Sequence, residues 1–171
     1  CEKGMVFGSG IAAIFASMFS FLKSEDHVVF QSSLYGGTIN LIVKEFEKFN
    51  IEYTFVESLD IIDYKKEIRS NTKIIYVETP SNPLLEVIDL QGIADLAKKH
   101  KLISIIDNTF ASPINQNPSD LGIDIVLHSA TKYLSGHSDI LAGAIASSKS
   151  IIDKIIESSV NYGGNLSELT V

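Results

Sequence analysis

Four short apolar segments of this sequence lead directly into residues that carry chemistry, and this pattern constrains the fold more than any other feature. The segments are typical of buried β-strands, and helix-like stretches separate them. Polar residues follow each segment, namely Tyr35, Glu78, Asp107 and Ser129. In an open parallel sheet the carboxyl ends of the strands share one edge, where ligands bind. The sequence therefore predicts an α/β fold, a mostly parallel sheet flanked by helices, with a site at that edge.

The alternation of apolar and amphipathic stretches defines the expected elements. Strand patterns occupy residues 27–31, 51–56, 73–77, 102–106, 123–127 and 142–147. Helix patterns occupy residues 11–22, 38–49, 63–69, 90–100 and 150–157, and a glycine turn follows at 161–165. No strong strand is predicted before Gly8. We expect one layered domain without internal repeats or linkers.

Composition excludes several classes of function. The 171 residues, 45% of them hydrophobic, suffice for one domain, and a net charge of −7 without a basic stripe argues against a nucleic-acid partner. No apolar run reaches the roughly 18 residues that span a bilayer, so no membrane partner is expected. The single cysteine, Cys1, fits a reducing cytoplasm and leaves no metal-binding cysteine pair, so no metal is expected. Because the chain begins at Cys1 and ends at Val171, after a helix-like stretch at 167–170, we expect a fragment of a longer protein.

Lys132 is the residue in this pattern that most needs an explanation. It follows the apolar stretch 123–127 closely, and its neighbours Ser129 and Thr131 carry hydroxyls. At a strand exit a lysine can hold a phosphate as a point charge, or it can act as a nucleophilic amine that forms a Schiff base. A solvated surface lysine is the third interpretation.

Glycines mark two other places where a ligand can approach the backbone. Gly8 and Gly10 precede the helix predicted from Ile11, whose N-terminal N–H groups would form an anion site. The same glycines are typical of a plain turn and helix cap. Tyr35 lies beside Gly36, which leaves room for the ring to stack on a planar ligand, but the tyrosine can equally be a half-buried core aromatic.

Asp107 and Asn82 follow two of the buried strands. A carboxylate directly after an apolar strand is costly unless a cation pairs with it, so Asp107 either pairs with a positively charged ligand group or caps the next turn. Asn82 lies between two prolines, Pro80 and Pro83. It either donates to a ligand oxygen or only serves the turn.

Four segments together resemble one family of enzymes. They are SATKYLSGHSD at 129–139, YGGT at 35–38, ETPSNP at 78–83 and DNT at 107–109. All four are similar to cofactor-binding motifs of the Cys/Met-metabolism family of pyridoxal-phosphate (PLP) enzymes, which contains the cystathionine and methionine gamma-lyases, the cystathionine synthases and the homoserine sulfhydrylases. The resemblance extends over essentially the whole chain. It implies the large, cofactor-binding domain of the aspartate-aminotransferase-like fold (PLP fold type I), residues 1–171, with a seven-stranded sheet and without the N-terminal arm and C-terminal domain.

The resemblance also implies a role for each candidate residue. Lys132 would bind the cofactor as a Schiff base and then move protons at the substrate, and Tyr35 would stack on the ring and protonate the leaving thiol. Asp107 would keep the ring nitrogen protonated, and Asn82 would contact the 3-oxygen. The remaining cofactor-binding residues, most of them around the phosphate, would be Gly10, Ile11, Thr109, Ser129 and Thr131.

The expected reaction is γ-elimination on cystathionine or a related thioether amino acid, and γ-replacement, as in a synthase or sulfhydrylase, is the alternative. Methionine-specific lyases of the family usually have cysteine where this chain has Gly37. The only arginine, Arg69, is expected in a helix away from the site, so this chain offers no guanidinium for the substrate carboxylate. In the family that arginine lies in the C-terminal domain and a neighbouring subunit reaches the phosphate. This implies a cytoplasmic homotetramer, a dimer of dimers with shared active sites.

Two other classes compete with this interpretation. A nicotinamide-binding Rossmann domain would have Gly-x-Gly-x-x-Gly after its first strand, whereas residues 8–13 read GSGIAA and no strong strand is predicted before them. A non-catalytic interaction domain would give Lys132 no reason to lie near Asp107.

Overall fold

A seven-stranded sheet forms the centre of the computed structural model, which describes residues 1–137 and 139–166. Its strands are β1 (Lys3–Phe7), β2 (His27–Gln31), β3 (Glu52–Val56), β4 (Thr72–Glu78), β5 (Ile103–Asp107), β6 (Ile125–His128) and β7 (Gly143–Ser147). The helices are α1 (Gly10–Phe19), α2 (Gly36–Glu45), α3 (Ile61–Glu67), α4 (Leu90–His100), the short α5 (Ser112–Asn115) and α6 (Lys149–Tyr162). Short 3-10 helices cover Glu47–Phe49 and Pro118–Leu121.

The strand order places the ends of most strands at one edge. The order is β1-β7-β6-β5-β4-β2-β3, and every neighbouring pair from β6 to β3 is parallel. Strand β7 runs antiparallel to both β6 and β1. The carboxyl ends of β2, β4, β5 and β6 therefore share an edge with the end of β1 and the start of β7. This confirms the predicted α/β class with a mostly parallel sheet of seven strands.

Alternate residues of each strand point into two separate cores. On one face Phe30, Tyr76 and Ile105 pack with apolar residues of α1, α2 and α6. On the other face Val29 and Ile75 pack with residues of α3 and α4. Strand β2 is buried along its whole length because helices cover both faces, which explains its continuous apolar pattern.

The first strand and the last helix differ from the sequence-based expectation. Strand β1 forms although no strong strand is predicted before Gly8. It is an edge strand that contains glycine and lysine, and among the strands of the sheet it pairs with β7, so it carries no continuous apolar signal. Helix α6 continues to Tyr162, beyond the predicted end at 157, and Gly163 and Gly164 follow with positive φ.

Arg69 lies beyond the end of α3 rather than inside a helix. Its guanidinium donates a hydrogen bond of 2.9 Å to Glu52, at the start of β3 and therefore at the amino edge of the sheet. The stretch expected to be helix-like at 167–170 lies outside the described residues, as does Ser138. In the described part of the chain, no helix is long and apolar enough to cross a membrane.

Candidate active site

The residues that the sequence assigns to the site all line one cavity of about 210 Å³ at the carboxyl edge of the sheet. They are Gly10, Ile11, Tyr35, Asn82, Asp107, Thr109, Ser129, Thr131 and Lys132. Other lining residues are Ser9, Ile14, Glu78, Phe110 and Leu141. The fold thus brings Lys132 and Asp107, which are far apart in sequence, into the same cavity. A non-catalytic interaction domain gives no reason for this arrangement.

One part of the cavity is suited to an anion. Ser9 caps α1 by accepting a hydrogen bond from the Ala12 N–H, and the helix geometry leaves the N–H groups of Gly10 and Ile11 without intrahelical acceptors. Ser129 lies beside this helix end, since a β-carbon added to Gly10 would be 3.1 Å from Ser129 Oγ. Backbone donors, the positive end of the helix dipole and a hydroxyl therefore meet in one place, and such a donor set binds phosphate.

A buried acid lies at the end of β5. Asp107 is only 6% exposed, and burial raises the pKa of its carboxyl. Thr109 opposes this effect, because its Oγ1 and its N–H donate hydrogen bonds of 2.5 and 3.0 Å to Asp107 Oδ1. Thr109 Oγ1 also accepts a hydrogen bond of 2.7 Å from the Ser129 N–H, which connects the acid to the loop of Lys132. Within residues 1–137 and 139–166 no donor reaches Oδ2, so this oxygen remains available to a cationic ligand group.

Glu78 is a second buried acid beside the first. Its Cα is paired with that of Asp107 in the parallel register of β4 and β5, so the two side chains leave the same face. Both carboxyl oxygens of Glu78 accept backbone hydrogen bonds of 2.8 Å, one from Tyr35 and one from Asn82. Burial first, and the charge of Asp107 second, raise the pKa of Glu78 to about 8. Two adjacent acids therefore favour a positively charged ligand in this part of the cavity.

Tyr35 precedes α2, and its ring lies over Gly37. A β-carbon at Gly37 would be 2.4 Å from Cε1 of that ring, so a side chain there would displace it. Tyr35 is 46% exposed, which argues against the alternative interpretation of a core aromatic. The nearby Asn82 is partly buried and takes part in the lining of the same cavity.

Lys132 lies in a turn that backbone hydrogen bonds fix. Its N–H donates to the Ser129 carbonyl at 3.0 Å. The Thr131 hydroxyl donates to the Ala142 carbonyl at 3.1 Å and accepts from the Ala142 N–H at 3.0 Å, so a phosphate would have to take the place of that carbonyl as its acceptor. Lys132 itself is exposed, and no acid in the described part of the chain forms an ion pair with it. Its amine is therefore free to react with a ligand.

The chemistry of these groups fits PLP. The donors around Gly10 match a phosphate, and the free oxygen of Asp107 matches a protonated ring nitrogen. The unpaired amine of Lys132 matches the aldehyde carbon. A single cavity thus contains complementary groups for the phosphate, the ring nitrogen and the aldehyde carbon of this cofactor.

Sequence reasoning overlooks some of the residues that build this site. Glu78 carries the same signal as Asp107, an acid directly after a buried strand, but its strand exit and its place in the ETPSNP motif do not reveal the two backbone amides that it binds. Gly143, at the start of β7, lies against the backbone carbonyl of Ser9, which lines the cavity. An isolated glycine in a strand gives little indication of which backbone approaches it. The lining residues Ser9, Ile14, Phe110 and Leu141 carry no signal that distinguishes them from ordinary cap or core residues.

Comparison with known proteins identifies the family. The family model described as Cys/Met metabolism PLP-dependent enzyme matches residues 1–170. The cystathionine gamma-lyase of Bacillus subtilis (strain 168) is 51% identical over 144 residues, which cover 84% of this chain and 38% of the relative. The cystathionine beta-lyase MetC of the same strain is 47% identical over 144 residues, covering 84% of this chain and 37% of the relative.

A solved structure agrees with the sequence matches. The crystal structure of cystathionine gamma-lyase from Lactobacillus plantarum complexed with L-serine matches with a TM-score of 0.93 and 42% identity, over 98% of this chain and 44% of that chain. This chain therefore spans less than half the length of the relatives it matches. The match over nearly the whole chain shows PLP fold type I. From its sequence, fold and cavity, the chain belongs to the Cys/Met-metabolism family of PLP-dependent enzymes.

Proposed function

We propose that this protein catalyses a PLP-dependent γ-elimination on cystathionine or a related thioether amino acid. The observation that carries the proposal is the shared cavity, in which the Lys132 amine, the buried acid Asp107 and the helix end at Gly10 lie together. The 51% identity to a cystathionine gamma-lyase supports a reaction on this class of substrate, and the 47% identity to a cystathionine beta-lyase makes β-elimination the reaction to distinguish from it. γ-Replacement on an activated homoserine is the alternative, because the two reactions need the same residues and differ in what enters second.

The family motifs supply the binding roles, and the shared cavity supports them. PLP, when bound, supplies an electron sink that stabilises negative charge on substrate carbons. Asp107 would accept a hydrogen bond from the ring nitrogen and keep it protonated, Thr109 holds Asp107 in place, and Asn82 would donate to the 3-oxygen. The phosphate would be bound by the N–H groups of Gly10 and Ile11 and the hydroxyls of Ser129 and Thr131, all of which line the cavity.

Lys132 and Tyr35 have the catalytic roles. Lys132 would hold the cofactor, remove the proton from the substrate α-carbon and then move protons at the β-carbon, and its place in the same cavity as Asp107 supports this role. The ring of Tyr35 would stack on the cofactor, and its phenol would donate a proton to the departing sulfur. General acid–base catalysis of this kind contributes about 10²- to 10⁴-fold to a rate.

The substrate carboxylate needs a partner that this chain does not supply. None of the described lining residues is an arginine, and Arg69 is paired with Glu52 at the opposite edge of the sheet. We therefore assign residues 1–171 to the large, cofactor-binding domain of a longer protein whose active form is a homo-oligomer, a dimer of dimers with shared sites. Exposed Tyr133 and Leu134, beside Lys132, suit such a contact. The single cysteine supports a cytoplasmic location.

The first test is the visible absorption spectrum of the purified full-length protein with added PLP. An absorption band that borohydride reduction fixes onto the peptide containing Lys132 is the expected result. Lys132→Ala should keep the fold but lose both the fixed label and the activity. Lys99→Ala, at an exposed position of α4, is the matched control and should keep both. A full-length wild-type protein without the band would contradict the proposal.

The second test identifies the reaction from its products. γ-Elimination of cystathionine gives cysteine, 2-oxobutanoate and ammonia. β-Elimination gives homocysteine, pyruvate and ammonia instead, and γ-replacement is detected as cystathionine made from cysteine and an activated homoserine ester. The proposal predicts 2-oxobutanoate as the main keto acid, and pyruvate as the main product would assign the protein to the β-elimination reaction.

A further inference from the structure

Glu78 is a buried acid of the cavity for which the proposed reaction has no role. It is 4% exposed at the end of β4. Its Oε2 accepts from the Tyr35 N–H and its Oε1 from the Asn82 N–H, each at 2.8 Å. These two amides belong to separate loops, one between β2 and α2 and the other between β4 and α4. One carboxylate thus holds the backbone of both residues that are proposed to contact the cofactor ring.

This clamp favours the ionised form of Glu78, which is the stronger acceptor at both oxygens. A carboxylate accepts hydrogen bonds at both oxygens, whereas a protonated carboxyl must donate from one of them. Burial and the neighbouring Asp107 disfavour the ionised form and raise the pKa of Glu78 to about 8. Both hydrogen bonds are formed in the structure, and the raised pKa means that the carboxylate that accepts them is less favoured than an ordinary one.

The groups around Glu78 show which change would favour its carboxylate. Asp107 from β5, Lys132 from the loop after β6 and Tyr35 from the start of α2 share the cavity with it. Tyr76, on the same face of β4, has a pKa well above its ordinary value, mainly because it is buried, and it remains neutral. The repulsion therefore comes from Asp107, and a positive charge beside Asp107 would remove it.

We propose that Glu78 is a positioning residue that couples cofactor binding to the order of the two loops. A protonated ring nitrogen at Asp107 favours the Glu78 carboxylate, which then fixes the backbone of Tyr35 and Asn82 beside the ring. Glu78 acts through these two residues and does not touch the reacting atoms. The inference rests on the PLP site described under the proposed function.

The test compares PLP dissociation constants of the cofactor-free full-length protein and two variants. Glu78→Gln preserves the size of the side chain but replaces one acceptor oxygen with a donor, so one backbone N–H loses its partner. Its dissociation constant should be about tenfold or more above that of the wild type, the factor expected for a lost hydrogen bond to a charged group. The difference should shrink for a PLP analogue that has C–H in place of the ring nitrogen.

Asp124→Asn is the matched control. Asp124 Oδ2 also accepts two hydrogen bonds, from the N–H and Oγ of Ser104 at 2.9 and 2.8 Å, but it lies at the amino edge of the sheet. This variant should bind PLP like the wild type. Glu78→Gln with wild-type affinity would overturn the inference and leave the proposed function intact, whereas a wild type that takes up no PLP would contradict the proposed function itself.

Hydrogen exchange in the wild type tests the coupling without any substitution. Peptides that contain the Tyr35 and Asn82 amides should exchange more slowly with PLP bound than with inorganic phosphate, which fills only the anion-binding part of the cavity. Equal protection by the two ligands would overturn the inference even if the Glu78 variant did not fold.

Discussion

Gly143, at the start of β7, lies directly against the carbonyl group of Ser9. A β-carbon at Gly143 would be 2.3 Å from the Ser9 oxygen and 2.9 Å from the β-carbon of Ala13. Ser9 caps α1, and the N–H groups of the next two residues belong to the anion-binding part of the cavity. Since β7 is antiparallel to β6, its first residue lies at the edge where α1 begins. The close approach of these two backbones therefore determines where the phosphate donors lie.

Gly143→Ala should weaken PLP binding while the secondary structure is retained. The added carbon meets backbone, which a side-chain rotation cannot relieve, so the start of α1 must shift. Overpacking of this kind costs about 1–3 kcal/mol, and a cost borne by the site raises the dissociation constant about 5- to 150-fold. Cofactor titration and circular dichroism measure the two effects. Gly36→Ala, where an added β-carbon meets nothing within 4 Å, should bind PLP like the wild type.

Gly37→Ala should lower kcat by moving the ring of Tyr35, because the added carbon would be 2.4 Å from Cε1 and 2.9 Å from Cζ of that ring. A small displacement of a catalytic group reduces the rate, and we expect a loss of about tenfold. A double-mutant cycle with Tyr35→Phe isolates the mechanism. In the variant that lacks the phenol, Gly37→Ala should have a smaller effect, and additive losses would show that Gly37 acts by another route.

Thr109→Val should shift to higher pH the range in which the affinity for PLP falls as the solution becomes more acidic. The Thr109 hydroxyl bond lowers the pKa of Asp107 against the effect of burial, so its loss raises that pKa further. Asp107 then becomes neutral at a higher pH and no longer attracts a protonated ring nitrogen. PLP titrations between about pH 5 and 9 measure the shift. Thr109→Ser, which retains the hydroxyl, should restore the wild-type profile, and superimposable profiles for Val and wild type would contradict this role.

The chemistry-bearing ends of the strands could be predicted because buried strands make polar residues conspicuous. Asp107 follows an apolar strand directly, and that position is costly without a partner, so the sequence itself indicates a cationic ligand. Tyr35 and Ser129 also follow buried strands, and the carboxyl ends of parallel strands lie at the same edge of the sheet, so their position can be predicted as well. The family motifs then supplied the roles that residue type alone leaves open.

The supporting contacts could not be predicted, because they depend on distances between segments. Gly143 is an unremarkable glycine in its strand until β7 is seen to pass the carbonyl of Ser9. Strand β1 has too little apolar character to be recognised before its pairing with β7 is known. The clamp at Glu78 depends on two backbone amides. Every residue except proline has such a donor, so residue type does not show which of them Glu78 binds.

Glu78 also predicts how the stability of the cofactor-free protein depends on pH. Its pKa is raised from an ordinary value of 4.5 to about 8 in the folded protein, so between these values the unfolded chain binds fewer protons than the folded one. The free energy of unfolding should therefore fall as pH rises through this window, with a slope from Glu78 of at most about 1.4 kcal/mol per pH unit. Glu78→Gln should remove that slope in chemical denaturation between about pH 5 and 8, because the amide does not titrate. Glu57→Gln, which removes an exposed carboxylate, should leave the slope unchanged, and equal slopes in wild type and Glu78→Gln would show that Glu78 is ionised throughout.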